Sequence, residues 1–519
     1  MQNLEDRLVS RRSFLCALLG LGLAGPLSGC LPVAGTSVQP ARPTPVGPAG
    51  QLTVAMPFRV VAIDPHGAQG VERSTLTVAR HIFDTLVFRD PFTGNYKPAL
   101  AIEWSIPDQN TWVFTLRPDV RYHDGSRLTS ADVKACIERV LALKGPPAPL
   151  WAALEAVETP DERTVRIRTR TPVGTMLANL ALLYIAPASR VNAEGFFNNP
   201  VGTGPFKFVS WRRDAEIRLE ANTNYWGEPP GVQTLVFKDI PEVAARVTAL
   251  ETGEVDFTYG LPPDQLPALR RNPELELVSV ASYTYYFVWF NHQRPPFNDV
   301  RVRKAMWHAL DIATMARDLL KDVGKPAQAP IPETVFGFTP QAPYEYNPAR
   351  ARQLLREAGF PEGFETTMQW NPGSGPQDRE LVQAMISYWN AIGVKVKSLE
   401  KERAQWLKDL LDLNWDLNFQ TNSVQTGDAD FTLRRLYHSG ARRLGYANPN
   451  LDRLLDEAAT TLDQRRRLDL YAQAQRILWE EAVGIFPFDL LEVYVFRKRL
   501  SGFVPEPSGI PNFRLVRVL

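Results

Sequence analysis

Hydrophobic and polar positions change period repeatedly along the chain. Period-two alternation or short β-rich runs predict strands at 52–56, 112–116, 164–169, 216–220, 234–238, 283–291 and 394–399. Helical spacing lies between them. Asn347 as N-cap, Pro348 at the first helical position and Gly359 beyond the end bound a helix at 349–358. A second is expected at 463–482, with Leu468, Tyr471, Ala472, Gln475, Ile477 and Leu478 set among charges and its Arg residues reading as a solvated face. In a third, from Ser130, one face carries Val133, Cys136, Ile137, Val140 and Leu141. No repeat of 20–50 residues appears, which argues against a solenoid or propeller. Strands and helices mixed over some 470 residues predict an α/β protein of more than one lobe.

The first apolar run is different. Residues 14–27 follow Arg11-Arg12 and are too short for the ~20 residues that a membrane span needs, so they read as the core of a signal peptide. Ser10-Arg11-Arg12-Ser13-Phe14-Leu15 is a twin-arginine export pattern, and Leu27-Ser28-Gly29-Cys30 resembles the lipobox of bacterial lipoproteins. Residues 1–29 are therefore expected to be a signal peptide and Cys30 a lipidated residue. Five Pro and three Gly in residues 31–50 describe a tether, so that 30–50 links a lipid anchor to a soluble body.

Composition narrows the function. Residues number 519, enough for about two to four domains, with 44% hydrophobic and 22% charged. Lys+Arg total 58 against 57 Asp+Glu, and removing residues 1–29 leaves 55 of each. A neutral body has no long-range attraction for nucleic acid or anionic lipid, which excludes a nucleic-acid partner and leaves the lipid as the only membrane contact. Cys136 alone remains in the mature chain, so no disulfide is expected, and its helical setting marks it as a core thiol. There is no GxSxG, HExxH or Walker A pattern, and His66, His81, His123, His292, His308 and His438 show no ligand spacing. His123-Asp124-Gly125 reads as a tight turn. Gly202-Thr203-Gly204 leads into a strand rather than a helix, unlike a phosphate loop. No cofactor or metal is expected, and the scarcity of reactive groups favours a binder over an enzyme.

Several segments, in order, then resemble the family 5 extracellular solute-binding proteins, the peptide- and nickel-binding receptors of ABC importers. They are Glu103-Trp104, Trp112 to Gly125 and Leu128 to Val133; Val201 to Phe206 with Asn224-Tyr225-Trp226-Gly227; Leu250 to Asp256; Asn291 with Pro295 to Ala305; Arg352 to Phe360; and Ala447 to Asp452. The resemblance implies a type II periplasmic-binding-protein fold with an extra subdomain, its lobes joined by two crossover strands. Lobe I is expected at 51–92, 190–284 and 491–519, the extra subdomain at 93–189 and lobe II at 285–490. It implies a monomer held at the periplasm or cell surface, delivering a small peptide-like or other polar solute to an ABC permease and its ATPase.

Peptide-binding relatives place a Trp and an ammonium-binding Asp before an Asp-Pro-Asp pair. Here Asp428-Ala429-Asp430 looks like the pair, which puts Gln425 where that Asp stands and Asn422 where the Trp stands. A neutral amide supplies a hydrogen bond but no charge. This departure implies a blocked, cyclic or non-peptide solute, or else Asp428 takes the role through a loop shift. Trp289 and Trp370 complete the expected ligand contacts, with core packing as the alternative for each. Two other readings stay open. One is a secreted hydrolase with Asp428 and Asp430 as acid and base, although spacing of two on an extended segment turns them to opposite faces. The other is a sensor that binds solute without transport.

Overall fold

The computed structural model describes residues 47–519; Arg11, Arg12, Cys30 and most of the tether lie outside them. Two long antiparallel strands, Leu275–Phe290 and Gly484–Arg497, form the middle of an 11-stranded sheet. Sixteen residues at about 3.3 Å each reach about 50 Å, long enough to serve two lobes. Near one end Phe257–Tyr259 joins the sheet, followed by Gln51–Met56, Thr234–Asp239, Glu216–Ala221 and Phe206–Arg212. Near the other end come Leu417–Ser423, Phe364–Trp370 and Val394–Glu400. The two wings meet where the ladder between the long strands shifts register, between Ala281 and Tyr285. There Tyr283 N donates to Pro507 O at 2.9 Å, and Ser282 Oγ donates to Leu490 O at 2.8 Å. This is the two-lobed α/β arrangement with paired crossovers.

A separate antiparallel sheet runs in the order Ala101–Asp108, Thr111–Leu116, Thr164–Thr169, Leu154–Glu158. Its core is continuous with that of the first wing, through Phe83, Phe114, Cys136 and Phe257, while Phe287, Trp289, Trp370 and Trp389 belong to a second core. Burial pushes the Cys136 thiol up to about 12, as befits an inert core group. Strand alternation is strict where one face is wet: Glu216–Ala221 has Ile217, Leu219 and Ala221 buried between more exposed neighbours.

Local chemistry explains several boundaries. Asn347 Oδ1 accepts from Arg350 N at 2.9 Å, starting the helix Pro348–Glu357, and Gly359 with φ +90 follows its end. Asp463 caps Gln464–Glu480 in the same way. The buried stripe of that helix differs from the expected one. Leu468 is 40% exposed and Arg467 is buried, because Arg467 turns inward to an acidic partner. The glycines at 202 and 204 are packing devices: a Cβ on either would fall within 3 Å of Ile82 O. Between them Thr203 Oγ1 donates to Asp84 at 2.9 Å, as do Tyr225 OH and Trp226 Nε1. The Gly-Thr-Gly and Asn-Tyr-Trp-Gly segments thus converge on one carboxylate and lock the first wing together.

Candidate ligand cleft

A cavity of about 970 Å³ lies between the loops of the four-stranded sheet and the segment from Thr421 to Ala441. One wall comes from Leu150, Ala152, Arg170 and Val173, the other from Asn422, Gln425, Asp430, Phe431, Arg434 and Arg435. Gln425 and Thr426 also line a smaller cavity of about 410 Å³ bounded by Phe88, Arg89, Trp226 and Tyr283. The turn that carries Gln425 is therefore a partition between two spaces.

The walls touch directly. Gln425 Nε2 donates to Val71 O at 2.9 Å, joining positions 354 residues apart. Gly174 N donates to Ala459 O at 2.9 Å, and a Cβ at Gly174 would lie 2.3 Å from Thr461 O. Leu462, next along, packs against the core of the first wing. Arg89 donates to Tyr283 OH and, through Nη2, to Thr334 O at 3.4 Å.

Three of the expected contact residues fall at or beside this cleft. Asn422 Nδ2 donates to Thr432 Oγ1 at 2.9 Å, and its Oδ1 accepts from Arg435 Nη2 at 2.7 Å. Gln425 is on the wall, occupied with Val71. Asp428 is beneath the wall and not on it. Its Oδ1 accepts from Arg467 Nη2 at 2.8 Å, with both side chains 4% exposed. The same oxygen caps the helix Ala429–Tyr437 through Asp430 N at 3.0 Å. Asp428 is thus neutralised where it stands, and the loop shift that would make it an ammonium acceptor is not present. Nor is the 428–430 segment extended: it is a cap followed by the first helical turn, so Asp428 serves structure.

Both tryptophans sit away from either cavity. Trp289 is 1% exposed and its Nε1 donates to Tyr437 OH at 3.2 Å; Trp370 is 2% exposed and its Nε1 donates to Ser398 Oγ at 2.9 Å. Each is a core residue with its polar edge satisfied, because the strand ends that carry them, 285–290 and 368–370, are buried on both faces.

The residues that the sequence did not single out as ligand contacts are Arg170, Asp430, Phe431 and Arg435. Asp430 is the one carboxyl on the wall of the larger cavity, its Oδ1 has no hydrogen-bond partner among the described residues, and burial beside the Asp428 charge pushes it up to about 6. Arg435 lies one helical turn after Phe431, its Cζ 4.7 Å from the ring centroid and its Nε donating to Phe431 O at 3.0 Å. The i, i+4 aromatic–Arg spacing was visible in the sequence, but nothing there separated it from an ordinary wet helix face. Among the described residues no cluster of His, Cys, Asp and Glu could hold a metal, and no helix is long and apolar enough to cross a membrane.

Known proteins resemble this chain in sequence and in fold. A family model described as bacterial extracellular solute-binding proteins, family 5 Middle, matches residues 95–443. The chain is 28% identical to the glutathione-binding protein GsiB of Pectobacterium atrosepticum, over 91% of this chain and 94% of that one. The solved structure of HbpA2 from Haemophilus parasuis superposes with a TM-score of 0.82 at 26% identity, covering 91% of this chain and 100% of that one. The ABC transporter-associated periplasmic binding protein DppA from Helicobacter pylori, in complex with the peptide STSA, gives 0.76 at 25% identity, covering 91% and 98%.

Proposed function

The chain belongs to the family 5 bacterial extracellular solute-binding proteins, and from that premise we propose that it is the membrane-tethered receptor of an ABC importer, enclosing a peptide-like solute between its lobes. The observation that carries this reading is the 970 Å³ cavity whose walls come from separate parts of the fold and touch at Gln425–Val71 and Gly174–Ala459. A solute held by both walls binds the closed form better than the open one, and that difference drives closure. The permease then reads the closed shape.

Relatives named for glutathione and for a peptide complex support a solute in the peptide-like range. Gln425 and Asn422 are the proposed contacts from the motif, and neither carries charge. The solute therefore does not depend on a carboxylate at position 425 to hold an α-ammonium group. Asp428, Trp289 and Trp370 are assigned to the frame that supports the wall.

Delivery and anchoring follow from the N-terminal segment. Arg11 and Arg12 direct twin-arginine export, the signal peptide ends at residue 29, and a lipid on Cys30 holds a monomeric body at the membrane. Two experiments test the reading. Native mass spectrometry of the gently purified protein should show a small co-purified solute; an apo mass alone after exposure to peptide mixtures would remove the peptide-like reading. Cys30→Ala should move the protein from the membrane to the soluble fraction, and retention after a salt wash would remove the lipid anchor.

A further inference from the structure

Charge on the two walls of the larger cavity is unbalanced. Arg170, Arg434 and Arg435 face a single carboxyl, that of Asp430. Arg434 already pairs with Asp456 at 3.1 Å. The other two have no carboxylate partner among the described residues. Arg170, on the wall of the four-stranded sheet, donates to the carbonyls of Leu154 (2.6 Å) and Ala152. Arg435, on the opposite wall, is held by Asn422 Oδ1, by the Phe431 carbonyl and by the Phe431 ring, and its Nη1 has no hydrogen-bond partner among the described residues.

These contacts fix the guanidinium plane before any solute arrives. With Nη1 free and a second hydrogen left on Nη2, the planar fork can still meet a carboxylate in two parallel bonds, the geometry in which Arg differs most from Lys. Two unpaired cations on facing walls also oppose closure, since each raises the cost of bringing the other near. An anion between them removes that cost and adds a bond to each wall. The same solute charge then supplies both recognition and the drive to close.

We propose, building on the peptide-like reading above, that the cleft selects anionic solutes, with a solute carboxylate docked on the Arg435 fork and Arg170 supplying the facing charge. Asn422 and Phe431 act as positioning residues for that fork. The specificity of the receptor then lies in the solute's acid groups rather than in its amine.

The test uses a pool of short peptides from an exhaustive digest of casein, offered to ligand-stripped protein either untreated or after methyl esterification of its carboxyl groups. Bound species are separated by gel filtration and weighed by native mass spectrometry. The wild type should retain acidic species from the untreated pool and about tenfold less from the esterified one. Arg435→Gln should lose about 10- to 100-fold in retention of the acidic species, the loss of a charged bidentate contact. Arg435→Lys, which keeps charge without the fork, should fall between the two, and all three proteins should melt alike because position 435 is solvent-facing. Equal retention from both pools overturns the inference while leaving the receptor reading intact. An Arg435→Gln protein that keeps the acid preference overturns it as well. Retention from neither pool removes the peptide-like reading and this inference with it.

Discussion

Asp489 stands in the middle of a crossover strand, 3% exposed, with one carboxyl oxygen that has no hydrogen-bond partner among the described residues. Burial pushes it up from 3.8 to about 7, with Lys325 pulling the other way. The folded state therefore holds a proton that the unfolded state has released. Its contribution to stability is fully present below about pH 4 and is lost as pH rises through 7. Asp489→Asn should stabilise the protein more at pH 8 than at pH 4 in denaturant titrations; an equal effect at both would contradict the assignment. Gln425 is the second informative residue. An Asp there would set a carboxylate oxygen against Val71 O, where an amide now donates. Binding of the recovered solute should weaken about tenfold, about 1.4 kcal/mol, by calorimetry. Unchanged affinity would take Gln425 out of the site. At this scale the sequence was only partly readable. Asn422 and Gln425 were found by position in a motif, and both line the cleft. Trp289 and Trp370 were chosen for their chemistry, yet chemistry alone does not say which face of a strand a ring occupies. Arg467 read as one more solvated Arg, because its partner Asp428 is 39 residues away in sequence.

Among elements, the helix Ala429–Tyr437 does the most for the site. Asp428 caps it and pairs with Arg467, so its first turn is pinned to the helix Gln464–Glu480 while its outer face offers Phe431, Arg434 and Arg435 to the cavity. A buried pair of this kind contributes less to net stability than to fixing one arrangement, but breaking it leaves a buried charge alone at about 3–5 kcal/mol. The facing element is the loop at Gly174. Its φ lies outside the left-handed region, so a larger residue strains nothing locally; the approach of Thr461 O at 2.3 Å, with Arg467 Nε at 3.0 Å and Cδ at 3.1 Å, is what forbids a Cβ. Gly174→Val should leave the melting point of the ligand-free protein almost unchanged and weaken solute binding at least about tenfold. An equal loss of stability without solute would mean that the contact is permanent. Elements with local signals were legible: Pro348–Glu357 announced both ends, and Val394–Glu400 alternated cleanly. Leu417–Ser423 was not, because Asn418, Gln420 and Asn422 interrupt its apolar pattern. Asn418 is buried there through bonds to Gln369 and Trp406, partners that only the sheet supplies.

At the scale of the described body, a main sheet whose central ladder shifts register twice spans two cores, and a cleft has walls that meet across sequence separations of hundreds of residues. Lobe number and crossovers were legible through the family resemblance, since apolar stretches at both crossover positions gave weak support alone. The cleft contacts were not legible, because no local pattern encodes that Val71 faces Gln425. Motion belongs to this scale. The ladder between the long strands is interrupted at Ala281–Tyr285 and again at Tyr286–Val288, so the proposed closure predicts that the wings rotate about this stretch. The most direct measurement is small-angle X-ray scattering of the ligand-stripped protein, alone and saturated with the solute recovered by native mass spectrometry. A receptor that closes on its solute gives a smaller radius of gyration on saturation, and Gly174→Val reduces the change. An identical radius with and without bound solute would contradict the account.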